Sequence, residues 1–294
     1  MCPTFSAEQS QLEPNVEKKN ISILRISADV TILLLLGIPT FYLRLFGSPY
    51  RRGYICNDQS LQYPYLEYSI ATLQIAIFGS ALSLTIVTLC EIMIAFFWES
   101  RSRKSSLPRH QIKYSICNIN VHFIWIRLYK YAEYFGLGSF AGLLLMDVTK
   151  FFTGVHRPHF FDVCHPKPIG VPDCSENEFH RYIDQYECTN TNYSPFLVMD
   201  AHMSFYSGHA AFAFYMAVYV VLYLQARVHP YISKYSPMFL PLLQFLLIVL
   251  ATYISFSNFT DNKHHATDIF CGIVVGNLFA VIICVYLMKL FAAD

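Results

Sequence analysis

The chain has 294 residues, 54% hydrophobic and only 14% charged, whereas soluble domains carry roughly 25% charge. Its formal net charge of +1 supplies no electrostatic pull toward nucleic acid or any other strongly charged partner. The few charges collect in short segments between long apolar runs, which leaves a large soluble helical protein as the poorer reading.

Residues 1–25 form a mostly polar tail that carries Lys18, Lys19 and Arg25. No short apolar stretch with a small-residue cleavage site opens the chain, so the first apolar run is expected to act as an uncleaved signal anchor. Six runs follow, approximately Val30–Phe46, Ile70–Trp98, Tyr131–Met146, Ala210–Leu224, Phe239–Phe256 and Ile269–Leu290. A hydrocarbon core of about 30 Å needs about 20 helical residues, and backbone groups in lipid must pair within their own segment. Each run therefore predicts a transmembrane helix, and residues 26–292 a single all-α six-span bundle. Lys130 and Glu133 near the start of the third run, and Glu91 late in the second, are placed at the interface or toward the bundle interior.

The segment between spans two and three holds Arg101, Arg103, Lys104, Arg109 and Lys113 against one acid, Glu99. Positive charge marks the cytoplasmic side, and Lys18, Lys19 and Arg25 put the N-terminus there too. Arg227 and Lys234 after span four, and Lys289, agree. Loops 47–69, 147–209 and 257–268 are then expected outside or in a lumen, with Arg51 and Arg52 the exception to the charge pattern. Cys56, Cys164, Cys174 and Cys188 lie in those loops, where an oxidising compartment permits disulfides. Three connectivities fit four cysteines. Cys90, Cys271 and Cys284 read as packing residues of the spans. The sequon Asn192-Tyr193-Ser194 in the long loop is a glycosylation candidate.

Three polar clusters sit at the outer ends of spans three, four and six. The first is Lys150-Phe151-Phe152-Thr153-Gly154-Val155-His156-Arg157-Pro158. Two cations about two helical turns apart would share one side of a continuous helix and suit a phosphate, with Arg157 able to bind two oxygens. Snorkelling toward head groups is the plain alternative. The second is Ser204-Phe205-Tyr206-Ser207-Gly208-His209. A helix opening at Ser207 and Gly208 offers free N–H groups to an anion, and His209 is a proton donor near neutral pH. Ser207 also fits a simple helix N-cap.

The third cluster runs from Ser257 to Asp268 and contains Lys263-His264-His265. His264 and Asp268 have the spacing of one helix face, so the carboxylate would fix the tautomer and leave a nucleophilic nitrogen. A zinc site from His264, His265 and Asp268 is the poorer reading, because adjacent histidines on a helix diverge and no thiolate joins them.

In order and spacing, Lys-x6-Arg-Pro, Ser-Gly-His and Ser-x6-His-x3-Asp resemble the signature of the type 2 phosphatidic acid phosphatase superfamily. The words from Arg157 to Cys164, from Ser204 to His209 and at Lys263-His264-His265 resemble its lipid phosphate phosphatase branch. So do Arg52-Gly53-Tyr54-Ile55-Cys56 and Tyr63-Pro64-Tyr65, and the likeness covers roughly residues 25–290. The resemblance implies that Lys150, Arg157, Ser207 and Gly208 bind phosphate, that His209 protonates the leaving alcohol, and that His264, oriented by Asp268, becomes a phosphohistidine. It implies no cofactor and no metal, because protein cations neutralise the phosphoryl charge. The implied substrates are phosphatidate, lysophosphatidate, sphingosine-1-phosphate and ceramide-1-phosphate. The setting it implies is a plasma membrane with the site outside, or an internal membrane with a lumenal site. Membrane lipids and a second copy of the chain are the expected partners. One position departs. The third motif begins Ser257-Asn258 where the family has Ser-Arg, and Asn supplies neither the charge nor the fork. Lys263 is a candidate to restore the balance; the alternative is a weak or inactive relative that binds or takes up lipid phosphates.

Overall fold

The structure is a computed structural model and describes residues 18–104, 113–116, 119–175 and 180–291. The tail over 1–17, Arg109 of the basic loop, Glu176 and Glu178 of the long loop and position 292 lie outside the described residues.

Among the described residues the α-helical segments are α1 (Ile23–Phe46), α2 (Thr72–Phe97), α3 (Phe123–Thr153), α4 (Phe160–Cys164), α5 (Pro195–Asp200), α6 (Gly208–Ile232), α7 (Phe239–Thr260) and α8 (Ala266–Leu287). All but α4 and α5 are long and apolar enough to cross a membrane, and the chain is an integral membrane protein built on an all-α bundle. Outward faces carry exposed Leu35, Phe41, Phe78, Phe96 and Phe270. Lipid covers such faces at no cost, whereas water would not.

Local signals set the helix ends. Ser22 caps α1 and His122 caps α3, each accepting from a backbone N–H two residues on. The third span thus starts at Phe123, eight positions before the expected Tyr131, because a capping histidine outweighs the charges that follow. α6 runs on to Ile232, so Arg227, expected in a loop, is helical. α7 extends to Thr260 and α8 starts at Ala266, which shrinks the expected loop 257–268 to residues 261–265. Likewise the loop expected from residue 147 begins only after Thr153. There Gly154 turns left-handed at φ 56°. A Cβ at that position would collide with the Tyr50 carbonyl, so only glycine serves.

Inside the bundle α6 is the central helix. Tyr215 and Tyr219 donate to the carbonyls of Phe135 and Tyr131 at 2.8 Å, and Gly272 and Gly276 of α8 let its backbone approach that of α6. At the far end from the polar clusters, Glu91 of α2 is completely buried. It lies 3.3 Å from Arg127 of α3 and 3.5 Å from Arg227 of α6, and accepts from Tyr223 at 3.0 Å. Of the two placements open to it in the sequence, the bundle interior holds.

The other end is closed by a cap of loops. Tyr54, Phe160, Val163, Ile183 and Tyr186 form its small core. Cys56–Cys174 and Cys164–Cys188 are disulfides, which selects one of the three connectivities. Two short antiparallel pairings, Tyr54–Ile55 with Tyr182–Ile183 and Pro166–Pro168 with Tyr186–Cys188, complete the cap.

Glu91→Ala would leave two arginines facing a buried void. Removing one partner of a buried ion pair costs on the order of 3–5 kcal/mol. Thermal unfolding in detergent micelles is expected to show that loss, with Glu91→Gln, which keeps the Tyr223 hydrogen bond, intermediate between the two.

Candidate functional site

Where the cap meets the bundle, the three polar clusters converge. The strand-like segment after Gly154 lies beside the segment before α6, joined by Ser204 N to Val155 O at 2.8 Å and Arg157 N to Ala201 O at 2.9 Å. Loop 47–69 is clamped onto both. Tyr65 N donates to Asp162 at 2.7 Å, and the Ser69 N–H and hydroxyl donate to Asp261 at 2.7 and 2.6 Å. Asn262 reaches the Pro64 carbonyl at 3.1 Å.

Lys150 and Arg157 do share this region, but a continuous helix does not bring them there. Lys150 is in the last turn of α3, which ends at Gly154, while Arg157 lies in the loop beyond. The two remain within electrostatic reach of each other, together with Asp147 and Asp200. Arg157 is 2% exposed. It donates from Nε to the Asp200 carbonyl at 2.9 Å and from one terminal nitrogen to the Asp200 carboxylate at 2.8 Å. Its other terminal nitrogen donates to the Tyr68 hydroxyl at 3.0 Å and the Lys263 carbonyl at 3.3 Å. Four of its five donors are thus engaged, so the two-oxygen fork expected from the sequence is not free to grip an anion.

Ser207 is the N-cap of α6, accepting from Ala210 N; its own N–H donates to the Asp268 carbonyl at 3.0 Å. The plain N-cap reading holds. Gly208 is the first residue of α6, and any Cβ there would meet the Met146 sulfur. His209 stacks on Tyr68, with centroids 5.4 Å apart and planes 7° apart. Its Nε2 lies 3.2 Å from the Ile70 carbonyl, and since a carbonyl only accepts, that nitrogen carries the proton.

His264 precedes α8 rather than lying on its face, because His265 is the N-cap and forms a capping box with Asp268. The expected i, i+4 contact is therefore a loop-to-helix contact, with His264 Nδ1 3.8 Å from Asp268 Oδ2. That is beyond hydrogen-bond range. Ser204 fills the gap. Its hydroxyl donates to Asp268 Oδ2 at 2.6 Å and lies 3.5 Å from His264 Nδ1. Asp268 also accepts from His265 N at 3.0 Å. His264 is 2% exposed, and burial, reinforced by the Arg157 and Lys150 charges, holds its imidazole well below the usual histidine value. A neutral ring at neutral pH keeps a lone pair for attack.

Asn258 sits in the last turn of α7, 1% exposed, its amide nitrogen donating to Ile254 O at 3.1 Å. Lys263 is fully buried, and its ammonium lies over Tyr65 at 3.6 Å and Tyr68 at 4.3 Å from the ring centroids. Ser204, Asp200, Tyr65 and Tyr68 are the site residues that were not assigned roles from the sequence. Ser204 lies in the second motif and Tyr65 in a resembling word, but no motif singles out Asp200 or Tyr68.

Several relatives are similar over most of the chain. Phospholipid phosphatase homolog 1.2 homolog of Caenorhabditis elegans is 34% identical over 82% of this chain and 67% of its own length. Phospholipid phosphatase 1 of Rattus norvegicus is 31% identical over 90% of this chain and 84% of its own. Phospholipid phosphatase 2 of the same animal is 30% identical over 90% and 86%. The family model described as the PAP2 superfamily matches residues 127–292. No solved structure matches.

The cap carries an acid-sensitive set of histidines. His156 and His202 both lie against the Tyr186 hydroxyl, at 3.1 and 3.0 Å. Burial pushes His156 down to about 3 and His159 to about 4, and lowers His202 as well. Groups neutral in the fold but charged once unfolded contribute stability above about pH 6.5, and lose it as pH falls toward their folded values. The unfolding midpoint in micelles is expected to fall steadily from pH 7 to pH 4.5, and His156→Gln to flatten that slope.

Proposed function

Because this chain belongs to the PAP2 superfamily, we propose that it hydrolyses lipid phosphate monoesters through His264. The observation that carries this reading is the buried, neutral His264 set against Ser204 and Asp268, with Lys150 and Arg157 beside it. His264 Nε2 attacks phosphorus, the N–P bond forms, and the bond from phosphorus to the ester oxygen breaks. His209, in its protonated form, gives a proton to the departing alkoxide. Water then attacks the phosphohistidine, leaving a proton on His209 and releasing inorganic phosphate. Asp268, steadied by Ser204 and the His265 N–H, stabilises positive charge on His264 as the N–P bond forms. Phosphoryl charge is met by Lys150 and Arg157 and by N–H groups at the start of α6, beginning at Gly208, with no metal in the scheme.

Phosphatidate, lysophosphatidate, sphingosine-1-phosphate and ceramide-1-phosphate fit a site at the membrane boundary. Two disulfides in the cap and the exposed Asn192 sequon support a cap that faces outside the cell or into a lumen; the plasma membrane is the preferred setting. A second reading, a lipid phosphate binder with little turnover, is favoured by the neutral Asn258 alone.

Phosphate release from phosphatidate micelles, with chelator present, separates the readings. Wild type is expected to turn over and His264→Ala to lose roughly 10³-fold or more. Asn258→Arg is expected to gain about tenfold to a hundredfold. Loss of activity on chelation would contradict the metal-free scheme. Wild type matching His264→Ala, with Asn258→Arg gaining, would establish the binder.

A further inference from the structure

The charges at the site do not favour an anion as strongly as the motifs imply. Arg157 is bound to Asp200 through two hydrogen bonds, one of them to the carboxylate, and a third and fourth go to Tyr68 and the Lys263 carbonyl. Its charge is answered and one donor remains. Position 258, where the family carries a guanidinium, holds a neutral amide.

Lys263 stands apart from both. It is 0% exposed, and among the described residues its ammonium has no hydrogen-bond acceptor. Two tyrosine faces contact it instead, Tyr65 and Tyr68. Cation–π contact offsets part of the desolvation, but it leaves all three N–H donors unspent. Burial and the Arg157 charge push the amine down to about 8. A lysine serving only as packing would direct its amine to solvent or to a carboxylate.

Its surroundings are those of the site. The Lys263 N–H donates to the Asn258 carbonyl at 3.0 Å, so the ammonium belongs to the residue bonded to the position that lacks its arginine. The Lys263 carbonyl accepts from Arg157, and the next residue is His264. Tyr68, under the ammonium, also accepts from Arg157 and stacks on His209. One aromatic ring thereby joins the residues read as phosphate grip, proton donor and Lys263.

We propose that Lys263 is a phosphate ligand of this site, turning its ammonium from the Tyr65–Tyr68 cage onto an oxygen of a bound phosphate monoester, and that it supplies the charge Asn258 lacks. The inference rests on reading the site as a phosphate site. As a compact charge on a flexible stem, lysine reaches from the neighbouring segment where asparagine has neither the length nor the charge.

Calorimetric titration of the detergent-purified full chain with inorganic phosphate, alongside phosphatidate hydrolysis, tests it. Lys263→Met keeps the stem's bulk between the tyrosines, and Lys263→Gln, read in the same way, serves should the methionine variant not fold. Either is expected to weaken phosphate binding about tenfold to a hundredfold, the scale of one charge-assisted hydrogen bond. Adding Asn258→Arg to either variant is expected to recover most of that loss, which a purely structural lysine would not allow. Phosphate affinity unchanged by Lys263→Met overturns the proposal even if the wild type hydrolyses phosphatidate. Wild type that binds phosphate through Lys263 but releases none from lipid leaves the proposal standing and removes the hydrolase reading. Wild type that binds no phosphate removes both.

Discussion

Arg157 is buried where the cap closes over the bundle, and a guanidinium in such a place must be answered by fixed acceptors. It finds them in Asp200, in Tyr68 and in the Lys263 carbonyl. Those partners come from the segment before α6, from loop 47–69 and from the turn between α7 and α8. One side chain therefore ties its own motif segment to loop 47–69 and to the two other segments that carry the polar clusters. The disulfides tie the cap from above, with Cys56–Cys174 linking its first loop to the long one. At the opposite end Glu91, Arg127 and Arg227 fasten α2, α3 and α6 in the same manner. Between these two ionic fastenings small residues at the α6–α8 contact allow close packing, and the Tyr215 and Tyr219 hydroxyls bond α6 to α3.

The same burial shapes the chemistry. Burial, with Arg157 and Lys150 against the pull of Asp268, holds the His264 imidazole well below the usual histidine value. Asp268 is held by Ser204 and the His265 N–H close to His264 but not bonded to it. His264 thus meets its carboxylate across the Ser204 hydroxyl. Arg157 is a structural cation first, and only in the proposed phosphatase reading a phosphate contact as well. In the proposed reading, anion recognition falls more heavily on Lys150, on the start of α6 and on the caged Lys263. With Lys263 as the proposed ligand, Asn258 does not silence the site, because the charge it omits comes from a residue whose backbone N–H bonds the Asn258 carbonyl.

Most of the architecture was legible in the sequence. All six spans follow from apolar runs, and the three motifs do converge at one end. What the sequence misplaced were helix ends. His122 starting α3, Gly154 stopping it and His265 capping α8 are decided by single residues whose effect depends on the chain they abut, such as the Tyr50 carbonyl over Gly154. The partners of the motif residues were harder to foresee. Asp200 and Tyr68 are far from Arg157 along the chain, and no periodicity links them. Ser204 stood in plain view, yet only three-dimensional placement puts it between His264 and Asp268. The disulfide pairing was undecidable for the same reason.

Every step of the proposed hydrolysis requires that His264 takes the phosphoryl group. Brief reaction with phosphatidate labelled with radioactive phosphorus, followed by alkaline quench and peptide mapping, tests it directly. An acid-labile, base-stable label is expected on the peptide containing His264, absent in His264→Ala and building up when the water step is slowed. Product formation with no label on that peptide, or a label that persists in His264→Ala, would contradict it.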